Sequence, residues 1–292
     1  MVFVAGIIGS ELAPTKSLST LPVATIVVGT ALSVIPVIRL MSIFGRKKVF
    51  LSACIYSILL IGLCIFSISE EIFFLFSFAS FCLGATVATM MQFRFAAIES
   101  VNQDQRASAT AVVLLGGLIS AFLGTEIATI GKSILDTEFV GSFLLLALLF
   151  IIAFVLMFFF EPAVKFKEQI EKSKRPLLSI IQQGSFVVAV SAATTGYVVM
   201  SFIMTATPVS MHVMDGHSLH HTKLVLQSHV IAMFLPSLFT AYIVKYIGLT
   251  KMMLLGILIL FISVFIAFMS HALTHYWWSL VLLGLGWNFL FI

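Results

Sequence analysis

Nine apolar runs, at roughly residues 21–44, 49–68, 72–97, 107–130, 139–160, 182–206, 224–247, 252–270 and 275–292, limit what this chain can become more than any other feature. A helix rises 1.5 Å per residue, so a run of about 20 residues spans the ~30 Å hydrocarbon layer of a bilayer. Each run is about twice the length of a tilted barrel strand and lacks strict alternation, which predicts helices. A further apolar stub, Met1 to Ser10, is too short to cross unaided. A water-soluble globule is excluded. Only 10% of the residues are charged and 61% are apolar, against about 25% charged in soluble domains. The fold class is therefore an all-α integral membrane protein.

The basic residues give the orientation. One set of alternate ends carries Arg46, Lys47, Lys48, Arg106, Lys165, Lys167, Lys172, Lys174, Arg175, Lys245 and Lys251. The opposite ends carry only Lys16, Lys132 and Lys223. Cytoplasmic loops are the Lys/Arg-rich ones, so the first set faces the cytoplasm. The net charge of +4 is thereby accounted for as topology, and a nucleic-acid partner is not expected. Cys54, Cys64 and Cys82 lie within apolar runs and read as small buried hydrophobes, not as a disulfide framework.

The longest polar stretch divides the chain into an amino-terminal helical bundle (1–160), a cytoplasmic linker (161–181) and a carboxy-terminal bundle (182–292). The unpaired stub at one end and the apolar terminus at the other are read as a fragment of a longer chain. An internal repeat joins the halves. Phe44-Gly45-Arg46-Lys47-Lys48 follows the second helix, and Ile247-Gly248-Leu249-Thr250-Lys251 occupies the matching place in the second bundle. Both put a glycine in a tight cytoplasmic turn beside basic residues.

The first of these loops resembles the sequence that follows the second helix in the major facilitator superfamily of secondary transporters, with Ser42 where an Asp is usual. More selective are Gln92-Phe93-Arg94-Phe95-Ala96-Ala97, Ala206-Thr207-Pro208, Ser228 to Ser237 and Leu283 to Phe291. Together these are similar to a bacterial subgroup of that superfamily whose substrates are largely unassigned. Ser228 stands where that subgroup has Trp, and Thr125 where a Pro commonly follows the fifth-helix glycine. The resemblance implies a two-bundle architecture with about ten of twelve transmembrane helices present, the first only in part. It also implies alternating access around a cavity lined by helices one, four, seven and ten, which here are the 72–97, 182–206 and 275–292 runs with most of helix one missing.

Several polar residues inside these runs call for a reason. Arg94 lies about a turn from the cytoplasmic end of its helix, where it serves either a cavity or the interface by snorkelling, and Gln92 sits nearby on another face. Thr194, Tyr197 and Ser201, with Trp287 and Asn288, place hydroxyl, amide and aromatic groups where lipid-facing helices carry Leu or Ile. They are the expected solute contacts. Glu126 and His229 are candidates for proton coupling, each weighed against a plainer role as interfacial carboxylate or helix-to-helix hydrogen bonder. At the cytoplasmic ends, Arg46, Glu99 and Arg106 are expected to form an ion pair that closes an inner gate.

Gly116, Ser120, Gly124 and Ala128 recur at four-residue steps and predict a close-packing ridge. The outer loop holds His212, Asp215, His217, His220 and His221, but has no His-Glu-x-x-His spacing, so no metal or other cofactor is expected. The reading is a gradient-coupled carrier of a small solute in a bacterial inner membrane, with protons as the expected coupling ion. Its partners are lipid, the solute and protons. Two alternatives stand beside it: an inactive truncated transporter, and a membrane-embedded enzyme, for which no Gly-x-Ser-x-Gly or paired intramembrane carboxylates are present.

Overall fold

The computed structural model describes residues 2–161 and 177–291, so the basic side chains expected in the linker, Lys165 to Arg175, lie outside the described residues. Among the described residues every regular element is helical. The order is α1 (Val2–Leu12), α2 (Leu21–Phe44), α3 (Arg46–Ser69), α4 (Phe73–Met90), α5 (Phe93–Glu99), α6 (Arg106–Gly131) and α7 (Val140–Phe158). After the linker come α8 (Leu177–Ile181), α9 (Gly184–Pro208), α10 (Leu219–Phe234), α11 (Thr240–Ile247), α12 (Leu249–Met269) and α13 (Leu273–Phe291).

Six helical stretches among these residues are long and apolar enough to cross a membrane: Lys16–Phe44, Arg46–Ser69, Phe73–Glu99, Val140–Phe158, Gly184–Met214 and Leu249–Met269. The expected run 72–97 is a helix interrupted after Met90, which continues as α5 from Phe93. The run 224–247 is divided at Pro236 into α10, a 3₁₀ turn over Leu235–Leu238, and α11. Proline has no N–H for the i−4 carbonyl, and its ring crowds that carbonyl, so the α pattern stops there. The final five residues of the expected linker form α8.

The chain separates into two compact units, Met1–Val113 with Leu123–Lys167, and Leu114–Phe122 with Glu168–Ile292. In the first unit, α2 and α4 cross backbone to backbone. A Cβ on Gly29 would overlap the Phe81 carbonyl, and one on Gly84 would overlap Thr30 N and the Gly29 backbone. Apolar helices in lipid associate through packing and hydrogen bonds, and small residues permit both. Ser57 Oγ and Thr86 Oγ1 lie 2.8 Å apart between α3 and α4. Phe50 is buried against Phe93, with ring centroids 4.5 Å apart, among Val37, Met41 and Ala88. Gly131 and Gly141 let α6 and α7 meet, and Ser142 Oγ donates to Ala128 O at 2.8 Å.

The predicted ridge on α6 is not a contact along its length. A Cβ on Gly116 or Gly124 would meet nothing within 4 Å, and Ser120 Oγ turns to its own helix at Gly117 O. Only the Ala128 end is buried. The spacing was right for a small-residue face, but the close approaches belong to single glycines on other helices.

In the second unit, Ser263 Oγ donates to Ser279 O at 2.7 Å and Ser279 Oγ donates to Ser263 O at 3.0 Å, a reciprocal tie between α12 and α13. Gly284 brings α13 against α10, where a Cβ would stand 2.5 Å from His229 O. The two repeated glycine turns have almost the same backbone. Gly45 has φ 84° and ψ 155°, and Gly248 has φ 81° and ψ 156°. Each is the only residue between two helices, in a region of φ that residues with a Cβ rarely enter.

Candidate functional site

Where α3 begins and α5 ends in the first unit, Arg46 and Glu99 come together as expected from sequence. Arg46 Nε donates to Glu99 Oε2 at 2.8 Å and Nη2 donates to Oε1 at 2.7 Å, a bidentate pair. The Arg46 side chain is 8% exposed and that of Glu99 26%. Arg46 is the first residue of α3 and Glu99 the last of α5. A cation at a helix N-terminus and an anion at a C-terminus each oppose the helix dipole, so each side chain is better placed beside the other than alone. Lys47 Nζ donates to Phe158 O at 2.6 Å, capping the end of α7. Arg106, the third residue of the expected gate, is exposed at the start of α6.

Gln92 is buried at the joint between α4 and α5, where its N–H donates to Thr89 O at 3.0 Å. Arg94 is exposed and its guanidinium lies 4.8 Å from the Phe95 ring centroid, so the two polar residues point different ways. Glu126 is half-buried on α6.

In the second unit, Thr194, Tyr197 and Ser201 fall at i, i+3 and i+7 of α9 and share one stripe of the helix. Thr194 is exposed, while Tyr197 and Ser201 are half-buried. Close by, Gly196 lets α9 approach α13, its Cβ position lying 3.3 Å from Leu290 Cβ and 3.8 Å from Trp287 Cδ1. Trp287 is buried and meets Phe234 edge-on at 6.4 Å. Asn288 is completely buried, and its Nδ2 donates to Met233 O and to Ser237 Oγ, both at 2.6 Å. In this conformation its amino group faces protein. His229 is also fully buried, with Nδ1 on Leu280 O at 2.8 Å, the helix-to-helix bond weighed from sequence; Nε2 meets no partner among the described residues.

In the second unit, the loop before α10 and the turn before α13 hold an arrangement that sequence reasoning missed. Tyr276 Oη donates to Asp215 Oδ2 at 2.6 Å, and His271 Nδ1 lies 2.8 Å from the same oxygen. His217 Nε2 reaches His271 O at 3.0 Å, and His212 Nδ1 reaches His217 O at 2.8 Å. The loop before α10 is thus clasped to the turn before α13. The Tyr276 hydroxyl, and then His271, hold the Asp215 carboxyl below its usual range. No group of three or more His, Cys, Asp or Glu side chains among the described residues is placed to hold a metal ion. The available signal was topological: both segments are turns expected on the same side of the membrane, but 56 residues separate His271 from Asp215.

A family model, the Major Facilitator Superfamily, matches residues 1–292. The chain belongs to the Major Facilitator Superfamily. Among curated proteins, this superfamily member is 35% identical to the riboflavin transporter RfnT of Brucella anthropi, over 100% of its own length and 74% of that protein's. It is 31% identical to the uncharacterized MFS-type transporter YdeG of Bacillus subtilis, over 99% of this chain and 71% of that one. A third relative, the uncharacterized MFS-type transporter YddS of the same organism, is 29% identical over 99% and 70% of the two chains. The superfamily assignment makes the chain a multi-pass membrane transporter of small molecules and not an enzyme.

Proposed function

We propose that the chain is a secondary active carrier of the bacterial inner membrane which moves a small organic solute by alternating access, and that riboflavin is the first solute to test. The observation that carries this reading is the 35% identity to a riboflavin transporter across the whole of this chain. In this reading the helices are about ten of the family's twelve, the first in part, grouped as 1–160 and 182–292 about the linker 161–181. Within the second unit the α9 stripe of Thr194, Tyr197 and Ser201, with Trp287, supplies the solute contacts, and within the first unit Gln92 and Arg94 do so; Asn288, whose amino group is spent on Met233 O and Ser237 Oγ, is left out of the contacts. An isoalloxazine-like ring system offers a flat face to aromatic side chains and several acceptors to hydroxyl and amide donors, which suits such a lining.

Proton coupling is assigned to Glu126 and His229, since ionisable groups within membrane helices mark ion pathways. The pair Arg46–Glu99, with Arg106, closes the inner side. No nucleic-acid partner enters the mechanism.

The test is uptake of labelled riboflavin by a bacterial auxotroph stripped of its own importer and supplied with the intact protein. Saturable uptake that collapses when a protonophore is added is the expected result. Uptake no higher than in the vector control, with the protein present in the membrane, removes riboflavin as the solute. Saturable uptake indifferent to the protonophore removes the proton.

A further inference from the structure

We propose that Asn288 is a positioning residue that braces a hinge in the second unit, at the break between α10 and α11. Pro236 cannot donate to the carbonyl four residues before it, and unlike Pro36, through which α2 runs unbroken, it stands where the helix leaves the α pattern. Over Leu235–Leu238 the chain takes up the 3₁₀ pattern, in which each N–H is drawn to the carbonyl three residues back. Ser237 N–H is then directed at Phe234, and the Met233 carbonyl needs another donor. Asn288 supplies it. One amino hydrogen goes to Met233 O before the break and the other to Ser237 Oγ within it, each at 2.6 Å, from a side chain with no exposure. The amide orientation follows from chemistry: Met233 O can only accept, so a flipped amide would set two acceptors against each other.

The helices on either side of the break are held by different neighbours. α10 is gripped by α13, through His229 Nδ1 on Leu280 O at 2.8 Å and through Gly284, whose Cβ position lies 3.0 Å from Met233 N. α11 instead sends Ile243, Val244 and Ile247 into a cluster built on Met252 and Ile259 of α12, which Phe289 of α13 completes. A straight helix would tie these two partners together, whereas the break lets α11 change its angle with α12 while α10 stays on α13. Asn288 spans the pivot and keeps the freed carbonyl satisfied. Its Oδ1, buried with no partner among the described residues, is the acceptor for an N–H released if the break opens further. The bearing of this hinge on transport rests on the carrier reading above; the brace itself does not.

The experiment is amide hydrogen exchange on the intact protein in lipid nanodiscs. Asn288→Leu keeps the bulk and removes the donors. It should raise exchange over residues 233–240 at least tenfold and leave 220–231 unchanged, with Ser237→Ala giving a smaller rise at the same place. Adding Pro236→Ala to Asn288→Leu should restore protection, because a continuous helix returns an N–H to Met233 O. Unchanged exchange at the break in either single variant, or a rise spread evenly over the second unit, overturns the brace. If Asn288→Leu does not reach the membrane, Ser237→Ala decides alone. In the riboflavin uptake assay, Asn288→Leu should lower Vmax at least fivefold with KM moved less than twofold. A shift confined to KM makes Asn288 a solute contact instead. Absence of riboflavin uptake by the unsubstituted protein counts against the carrier's assigned solute and leaves the exchange result to judge the hinge.

Discussion

Arg46 and Glu99 show how a charge can be stable at an unfavourable helix end, since each lies against the wrong pole of its own helix and finds compensation in the other. Arg46→Gln therefore leaves a part-buried carboxylate at a helix C-terminus and should cost about 1–3 kcal/mol. The exchanged pair, Arg46→Glu with Glu99→Arg, puts each charge at its preferred pole and should regain both thermal stability and uptake. A double variant as impaired as the single ones in a melting assay would show that the site needs this arginine for something besides the pair. Asp215 behaves differently. Its folded pKa is depressed, by Tyr276 first and His271 after it, so its contribution is complete above the ordinary carboxylate value of about 4 and is lost as pH falls through the lower folded value. Protection of the Met214–Ser218 amides should fall once the pH drops below about 4, and Asp215→Asn should abolish that pH dependence.

Helices were the most legible part of this molecule, because length and apolarity suffice to set them: 21–44 is read from sequence and is found as α2. Breaks were less so. The run 72–97 contains no proline or glycine near Met91, so the interruption there, with Gln92 buried at the joint, has no local signal in the sequence. The break at Pro236 was available to a reader who asked what the proline's missing donor would do to Ala232 and its neighbours. Small residues misled in another way: a face of glycines can be read from spacing, but whether a second helix lies on it is a fact of packing, and α6 offers such a face without close contacts at Gly116 or Gly124. Gly84 is the better guide to where helices meet. Gly84→Ala drives a methyl into Thr30 N and the Gly29 backbone, so α2 and α4 must part, at a cost of about 1–3 kcal/mol or more. Lowered melting temperature and reduced membrane yield are expected, whereas Gly116→Ala should be tolerated or mildly stabilising.

Across the whole molecule, the family could be read from its loops and helix-end motifs, while the site was visible only in pieces. The α9 stripe of Thr194, Tyr197 and Ser201 follows from helical spacing alone. That Asn288 spends its amino group on Met233 and Ser237, or that His271 reaches Asp215, follows from tertiary packing over 55 and 56 residues, which no local pattern encodes. The glycine turns at 45 and 248 were legible as a repeat and have matching backbones. A corner made of one residue has no slack. The facing ends of α2 and α3, and of α11 and α12, therefore stay within one residue's reach however the helices turn, and any change of angle at either corner is taken up by the two dihedrals of its glycine.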